Sequence, residues 1–397
     1  FCETEPPQYI MRICFLSKMF PPVVGGSGVY AYEITNALAE QGHTVDVFTQ
    51  SKDTNASSLE IHNNVSIYRL AQSRRYLVTF ETLYYSVKAR LGIDFDDYDV
   101  IHGTLMPAST VALTDRLNFD TPIVLTSHSF AFSEVFAHSP EKPADYLLKY
   151  VFHPMNVIMD NVAARSADAI ITISEQMEVQ LSERYRLHPE RITTISHGVD
   201  TSRYRPYDDR HPAVSEDHLT LLFVGRLISR KGVDLAIRSL AATGRQDIQL
   251  LIAGTGRLEN QLKRLSSNLN VSDRVQFLGY VPDEKLPLLY ASADVTLFTS
   301  VYEGFGLVLL ESLSSGTPVI GPPVGGVPDM VENDVTGYIV ERKPDSFAIK
   351  IEHVADHRET LRRMSTASRS VAEDQSWNQV AKSVGDVYNE VVSSHDC

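Results

Sequence analysis

The chain has 397 residues, of which 43% are hydrophobic and 22% are charged, and such a composition is typical of a protein with two globular domains. Its formal net charge of −14 argues against a broad nucleic-acid-binding surface, which needs clustered positive charge. The sequence has no apolar run near the ~20 residues of a membrane-spanning helix and no apolar signal-peptide core at its start, so we expect a cytoplasmic protein.

Short apolar segments separated by amphipathic ones predict strands that alternate with helices in both halves of the chain. The predicted strands are 12–16, 44–49, 100–102, 123–126, 169–173 and 192–195 in the first half, and 220–224, 249–252, 275–277, 295–298, 318–320 and 337–340 in the second. Short buried strands that alternate with helices form parallel sheets covered on both faces. We therefore predict an α/β protein with two doubly wound, Rossmann-like domains.

A polar stretch rich in proline and aspartate, 203–217, is the predicted linker between these domains. We place the N-terminal domain at residues 1–205 and the C-terminal domain at 206–376. The last segment, 377–397, has valines on one face of a predicted helix, and we expect it to pack back on the N-terminal domain.

The loop after the first strand contains the pair Gly25-Gly26. In doubly wound sheets ligands bind beyond the carboxyl ends of the strands, and glycines there let the backbone approach a phosphate. The loop lacks the G-x-G-x-x-G spacing of dinucleotide-binding enzymes, which disfavours a dehydrogenase. A purely structural glycine turn explains this pair equally well.

Two cationic side chains follow the first strand of the second domain, in the sequence Gly225-Arg226 and then Lys231-Gly232. Arg226 offers a bidentate fork and Lys231 a compact charge, and both suit a diphosphate at the mouth of the sheet. The alternative is a pair of solvated cations. The later loop at Gly254 brings backbone close either to a ligand or to a neighbouring strand. The loop at Val281 offers backbone that could recognise a base edge, and a plain turn explains it equally well.

Two glutamates flank the break between the strand 295–298 and the next predicted helix. Glu303 precedes the helix, Glu311 lies inside it, and the first free N–H groups of the helix lie between them. A carboxylate accepts two hydrogen bonds from a vicinal diol, so one glutamate can hold a ribose and the other a hexose. The alternative is a surface corner whose glutamates only complement the helix dipole.

Together, Arg226, Lys231, Glu303 and Glu311 resemble the donor-binding half of a retaining glycosyltransferase of family 4. The resemblance extends over nearly the whole chain, and it implies the GT-B architecture, in which two Rossmann-like domains face each other across a crevice. Further matching elements are Gly25-Gly26, Gly254, His197-Gly198-Val199-Asp200, Gly325-Gly326 and Trp377. The sequence departs from the family at Asp329, where the family often has glutamate.

The resemblance implies a role for each donor-site residue. Arg226 and Lys231 would bind the donor diphosphate, Glu311 the ribose hydroxyls, and Glu303 the hydroxyls of the transferred sugar. The other donor-binding positions that it implies, mostly through backbone, are Gly25, Gly26, Gly225, Gly254, Val281, Phe305, Gly306 and Leu307. His128 would lie near the donor sugar and the leaving phosphate, although its position alone also fits an ordinary loop histidine. His197-Gly198 would shape the crevice.

The implied reaction moves a hexose or N-acetylhexosamine from a UDP- or GDP-sugar to a hydroxyl of a sugar or lipid-linked acceptor, with retention. We expect no cofactor and no metal: the 3 cysteines show no metal-site spacing, and the nearest D-x-D match, Asp94-Phe-Asp96, has no Gly-rich partner. The alternatives are a sugar phosphorylase, a nucleotide-sugar epimerase, or a non-catalytic nucleotide-sugar-binding scaffold.

The acceptor region is predicted in the N-terminal domain, at 72–92, where basic ends flank an aromatic centre. One interpretation is peripheral contact with the inner face of a membrane or with a lipid-linked acceptor. The other is a helix packed on the sheet through Leu77, Phe80, Leu83, Tyr84 and Val87. A second candidate for the acceptor entrance is the aromatic segment 130–136.

Overall fold

The computed structural model describes residues 9–22, 25–51, 59–62, 64–72, 78–104, 119–128, 153–215 and 217–395. The chain divides into two compact units. The first comprises Phe1–His197 together with Trp377–Cys397, and the second comprises Gly198–Ser376. The boundary predicted at 205/206 falls eight residues after the division at 197/198, because the start of the predicted linker is folded into the second unit, where Tyr204 is buried.

The first unit contains a sheet of eight strands within the described residues, in the order β3-β4-β2-β1-β5-β6-β7-β8. The strands are β1 (Arg12–Leu16), β2 (Thr44–Ser51), β3 (Leu59–His62), β4 (Val65–Gln72), β5 (Val100–Thr104), β6 (Ile123–Ser127), β7 (Ala169–Thr172) and β8 (Ile192–Thr194). All neighbouring strands are parallel except β3 and β4, which are antiparallel. Four described helices follow strands of this sheet: α1 (Gly26–Glu40), α2 (Val78–Gly92), α3 (His153–Ser166) and α4 (Glu175–Tyr185).

The second unit contains a six-stranded, fully parallel sheet in the order β11-β10-β9-β12-β13-β14. Its strands are β9 (Leu219–Val224), β10 (Ile248–Ala253), β11 (Val275–Gly279), β12 (Val295–Leu297), β13 (Val319–Gly321) and β14 (Gly337–Ile339). Its helices are α5 (Val233–Ala242), α6 (Glu259–Asn268), α7 (Leu286–Ser292), α8 (Leu307–Ser314), α9 (Val327–Met330), α10 (Pro344–Asp356) and α11 (Arg358–Glu373). The strands are nearly all apolar because helices cover both faces of the sheet.

The edge hairpin of the first sheet, β3 and β4, was not predicted from the sequence. Its strands alternate apolar and polar residues, so that Val65 and Ile67 are buried while Ser66 and Tyr68 are half-buried. A continuous apolar run marks a central parallel strand, whereas this alternation is typical of an edge with one covered face.

The interpretation that α2 packs on the sheet through Tyr84 and Val87 was wrong. Tyr84 and Val87 are 53% and 42% exposed, whereas Tyr85 and Ala89 are fully buried. The Tyr85 hydroxyl donates to the Phe48 carbonyl oxygen of β2, which orients the helix. Leu77 and the segment 130–136 lie outside the described residues, as do the side chains of Phe80 and Leu83.

The last helix, α12 (Trp377–His395), belongs to the first unit and packs against α1. Val384 and Tyr388 are fully buried, and the Tyr388 hydroxyl lies within hydrogen-bond distance of His102 Nδ1 on β5. None of the described helices is both long and apolar enough to cross a membrane.

We expect Val384→Ala to lower the free energy of unfolding of the first unit by about 2 kcal/mol, because it leaves a cavity in a packed core. The measurement is denaturant unfolding followed by fluorescence of Trp377, the single tryptophan of the chain. Glu390→Ala, an exposed change on the same helix, is the control. Equal midpoints for the two variants would show that α12 is not part of this core.

Candidate functional site

The candidate site lies at the carboxyl ends of β9 and β12, which are hydrogen-bonded neighbours in the second sheet. The strand order reverses between them, since β10 lies on the far side of β9 and β13 on the far side of β12. In open α/β sheets the crevice at such a switch point is where ligands bind. The loop from Gly225 to Lys231 follows β9, and the loop that contains Glu303 follows β12.

Glu303 is the centre of a buried charge cluster, and its side chain is only 8% exposed. Arg230 Nη1 donates to its Oε2 atom at 2.8 Å, and Lys231 Nζ lies 2.5 Å from its Oε1 atom. The Ser300 hydroxyl also donates to Oε1, at 2.8 Å. Burial by itself would raise the pKa of Glu303, but the two cations and these hydrogen bonds bring it below its ordinary value. Glu303 is therefore a carboxylate.

Arg230 is the site residue that the sequence analysis missed. Only its neighbour Lys231 fitted a recognised pattern, and two adjacent residues are not expected to face the same partner in a regular helix. Here the turn Ser229–Lys231 is a 3₁₀ helix, and both side chains reach the same carboxylate. The sequence feature that could have pointed to Arg230 is its position next to Lys231, directly before Gly232.

Arg226 lies in the same loop, exposed to solvent. Its guanidinium makes no ion pair with any residue that the structure describes. Lys231, by contrast, is already paired with Glu303. The loop after β9 therefore presents one exposed cation, Arg226, and two cations that are engaged with the same carboxylate.

The glycines of the neighbouring loops bring backbone against backbone. A side chain at Gly254, where φ is +139°, would lie 2.0 Å from the Gly225 carbonyl oxygen, so these two loops touch directly. Gly254 N–H in turn donates to the Gly279 carbonyl oxygen at 2.7 Å, and Val281 follows two residues later. Gly254 therefore contacts a neighbouring loop and the end of β11, and its contact with a ligand stays a prediction.

The start of α8 is built around Gly306, whose φ is +100°. A Cβ atom there would lie 2.7 Å from the Phe298 ring, so only glycine fits. Phe305 is buried, and its carbonyl oxygen accepts from Gly326 N–H at 2.9 Å. This packing fixes the backbone between Glu303 and Leu307. The free N–H groups at the N-terminus of α8 can donate to hydroxyl oxygens and stabilise negative charge.

Glu311 lies one turn inside α8, in an environment unlike that of Glu303. Tyr290 of α7 donates to its Oε2 atom at 2.8 Å, and Tyr204 also hydrogen-bonds to it. Burial raises the pKa of Glu311 above its ordinary value, and these hydrogen bonds oppose the rise only in part. Two carboxylates therefore lie near the start of α8: Glu303 is paired with cations, and Glu311 accepts hydrogen bonds from tyrosines.

In the first unit, Gly25 and Gly26 form the start of α1, and His128 directly follows β6. His128 Nδ1 lies 3.3 Å from His197 Nε2, and its ring packs edge-on against Tyr30. Burial lowers the pKa of His128 to about 3, so the ring is neutral. The role that the resemblance implies for His128 stays a prediction.

A second buried histidine, His102, lies in the same core. Its Nε2 atom is 2.6 Å from the Thr126 hydroxyl, and Thr126 also lies 3.2 Å from the Tyr30 hydroxyl. Burial, and to a smaller extent repulsion from a protonated His128, lowers the pKa of His102 to about 3.

We expect the first unit to lose stability as the pH falls below about 6.5, the pKa of an unfolded histidine. His102 and His128 take up protons only near pH 3 when folded, so the unfolded state binds more protons across that window. The loss should be on the order of 1.4 kcal/mol per pH unit for each histidine. Denaturant unfolding followed by Trp377 fluorescence between about pH 7.5 and 5 measures it.

His128→Gln should reduce this pH dependence by about one proton, whereas His188→Gln, at an exposed position, should leave it unchanged. An unfolding free energy that is constant across this range would contradict the burial of both histidines as neutral rings.

Two protein-family models match this chain. The family model described as Glycosyltransferase Family 4 matches residues 24–203, and the one described as Glycosyl transferases group 1 matches residues 206–371. The two models together span most of the chain. The chain therefore belongs to the family 4-type glycosyltransferases, and it is a transferase enzyme.

The relatives agree with this assignment. An uncharacterized glycosyltransferase of Methanocaldococcus jannaschii is 28% identical over 396 residues, which cover 95% of this chain and 98% of that protein. The solved structure of a sucrose-phosphate synthase from Thermosynechococcus elongatus superposes with a TM-score of 0.83 at 23% identity, covering 96% of this chain and all of the other. That of Anabaena HepE in complex with UDP-glucose has a TM-score of 0.73 at 18% identity, with 96% and 100% coverage. The two parallel-sheet α/β domains are those of the GT-B class.

Proposed function

We propose that this chain transfers a hexose from a nucleoside diphosphate sugar to a hydroxyl of a sugar or lipid-linked acceptor, with retention of the anomeric configuration. The observation that carries the proposal is the ionised Glu303, held by Lys231 and Arg230 at the carboxyl ends of β9 and β12. A buried carboxylate with adjacent cations at a switch point suits a ligand that has both hydroxyls and phosphates.

The diphosphate is assigned to Arg226 and Lys231. Arg226 is exposed at the mouth of the site, and its fork geometry suits two phosphate oxygens. Lys231 supplies a compact charge on a flexible stem. When the bond between the anomeric carbon and the diphosphate oxygen breaks, negative charge grows on the leaving group, and both cations stabilise it.

The hydroxyls are assigned to the two glutamates. Glu311 is proposed to accept hydrogen bonds from the ribose diol, which would favour its ionised form despite its burial. Glu303, already ionised, is proposed to accept hydrogen bonds from the transferred hexose. The backbone N–H groups of Phe305, Gly306 and Leu307, at the start of α8, are proposed to donate to the same sugar.

The choice of donor starts from HepE, whose structure contains UDP-glucose. That makes UDP-glucose the first donor to try, with GDP-mannose and ADP-glucose as alternatives. Retention is proposed to follow a reaction on one face of the sugar: the acceptor oxygen bonds to the anomeric carbon, the diphosphate oxygen leaves, and the acceptor proton passes to that leaving oxygen. Proton NMR of the first-formed product tests the configuration.

The alternatives raised by the sequence are not favoured by the family assignment. A phosphorylase would take inorganic phosphate as acceptor and release a sugar 1-phosphate. Incubating the enzyme with donor and phosphate therefore separates a phosphorylase from a transferase, since a transferase leaves the phosphate unglycosylated.

The test of the donor site is calorimetric titration with UDP, GDP and ADP and with UDP-glucose, GDP-mannose and ADP-glucose. Glu311→Gln should weaken the nucleoside diphosphate and the full donor alike, by roughly 10-fold, since a charge-assisted hydrogen bond is lost. Glu303→Gln should weaken only the full donor and leave the nucleoside diphosphate within about threefold.

Glu359→Gln, at an exposed position on α11, is the control for a change of charge alone. Equal losses for both ligands in both glutamate variants would contradict the division between ribose and hexose. A wild-type protein that binds none of these ligands would contradict the donor site as a whole.

We predict that transfer persists in EDTA, because Arg226 and Lys231 can neutralise the charge that a metal would otherwise offset. Among the described residues there is no group of three or more histidines, cysteines or carboxylates arranged to hold a metal ion. The assay compares turnover after exhaustive chelation with turnover in added magnesium or manganese. Activity that is lost on chelation and restored by either ion would overturn the prediction.

A further inference from the structure

Arg230 and Lys231 share one carboxylate, Glu303, and the surrounding structure holds the two side chains differently. Arg230 is fixed to the loop that carries Glu303: its carbonyl oxygen accepts from Val301 N–H at 2.8 Å, and Nη1 donates to the Tyr302 carbonyl oxygen at 2.9 Å as well as to Glu303. Arg230 is therefore held to this loop at three points, two through its guanidinium and one through its backbone carbonyl oxygen.

Lys231 is anchored through its backbone rather than through its charge. Its carbonyl oxygen accepts from the Thr299 hydroxyl at 2.9 Å, while its ammonium group pairs with Glu303 Oε1. The four-carbon stem of a lysine lets the ammonium change partner without moving the backbone. Of the two cations, Lys231 is the one able to turn towards a ligand.

Donor binding changes the balance of charge in this cluster. A diphosphate carries more negative charge than one carboxylate, so it draws the Lys231 ammonium towards itself. Glu303, 8% exposed, then keeps only one of its two cations. A buried carboxylate without a cation takes up a proton, and a protonated carboxyl group accepts fewer hydrogen bonds from sugar hydroxyls.

We propose that Arg230 is a positioning residue that keeps Glu303 charged and oriented towards the donor sugar while Lys231 is engaged by the diphosphate. The inference rests on the proposed function, because it assumes that Glu303 binds the transferred sugar. In this proposal the two adjacent cations have different partners: Lys231 pairs with the diphosphate, and Arg230 pairs with the carboxylate of Glu303.

A purely structural role makes a different prediction. If Arg230 only joined the loop after β9 to the loop after β12, its loss would disturb the nucleotide and sugar parts of the site together. If it acts through Glu303, its loss affects the sugar part alone and does so more strongly in acid.

The test uses Arg230→Gln, the charge-preserving Arg230→Lys, and Arg238→Gln, an exposed change on α5, as the control. Each is titrated with the nucleoside diphosphate and the sugar donor that bind best to the wild type, starting from UDP and UDP-glucose. Arg230→Gln should leave the diphosphate within about threefold and weaken the sugar donor about 10-fold or more. Arg230→Lys should recover most of that loss.

The pH dependence separates positioning from structure. In Arg230→Gln the loss of sugar-donor affinity with falling pH should begin about one pH unit or more higher than in the wild type, because Glu303 then takes up its proton more readily. Thermal unfolding midpoints confirm that each variant is folded before it is titrated.

Unchanged sugar-donor affinity and pH dependence in Arg230→Gln would overturn the proposal, and so would equal losses for the diphosphate and the sugar donor. In both cases the wild type still binds its donor, so the proposed function stands. If the wild type binds no nucleotide and no sugar nucleotide, the proposed function fails and the role of Arg230 fails with it.

Discussion

The ionised side chain of Glu303 is the interaction on which the candidate site depends. A carboxylate with 8% of its side chain exposed is costly to bury unless cations and hydrogen bonds surround it. Arg230, Lys231 and Ser300 provide them from two different loops. Those loops meet because β9 and β12 are neighbours at the point where the strand order reverses. The sheet topology therefore creates the charge cluster, and the cluster keeps Glu303 ready to accept hydrogen bonds.

Close backbone contacts hold this cluster in place. Gly254 touches the carbonyl oxygen of Gly225, and Gly306 packs on the ring of Phe298, with no room for a Cβ atom in either case. Such contacts fix the loops without using side chains, so the side chains that remain are available for a ligand. A methyl group at Gly254 or Gly306 would therefore push the adjoining loops apart and move the residues of the site.

Glu303 and Glu311 are close in sequence, but their side chains lie in different electrostatic environments. Glu303 is paired with cations, whereas Glu311 lies against the hydroxyls of Tyr290 and Tyr204. Their pKa values are displaced in opposite directions from the same ordinary value, downward for Glu303 and upward for Glu311. A ligand with two diols and a diphosphate would meet two carboxylates of different strength, and this difference supports the separate roles proposed for them.

The sequence by itself determined the alternation of strands and helices, the two largely parallel sheets without the edge hairpin of β3 and β4, and the placement of Lys231 and Glu303 in loops after strands. Runs of apolar residues and the spacing of glycines are local properties, and they are read directly from the chain. Only the tertiary structure decided the pairing of Arg230 with Glu303 and the face that α2 turns to the sheet, where Tyr85 rather than Tyr84 is buried. Both depend on which loop or strand lies opposite. That pairing is set by the order of strands across the sheet, which residues distant in sequence determine together.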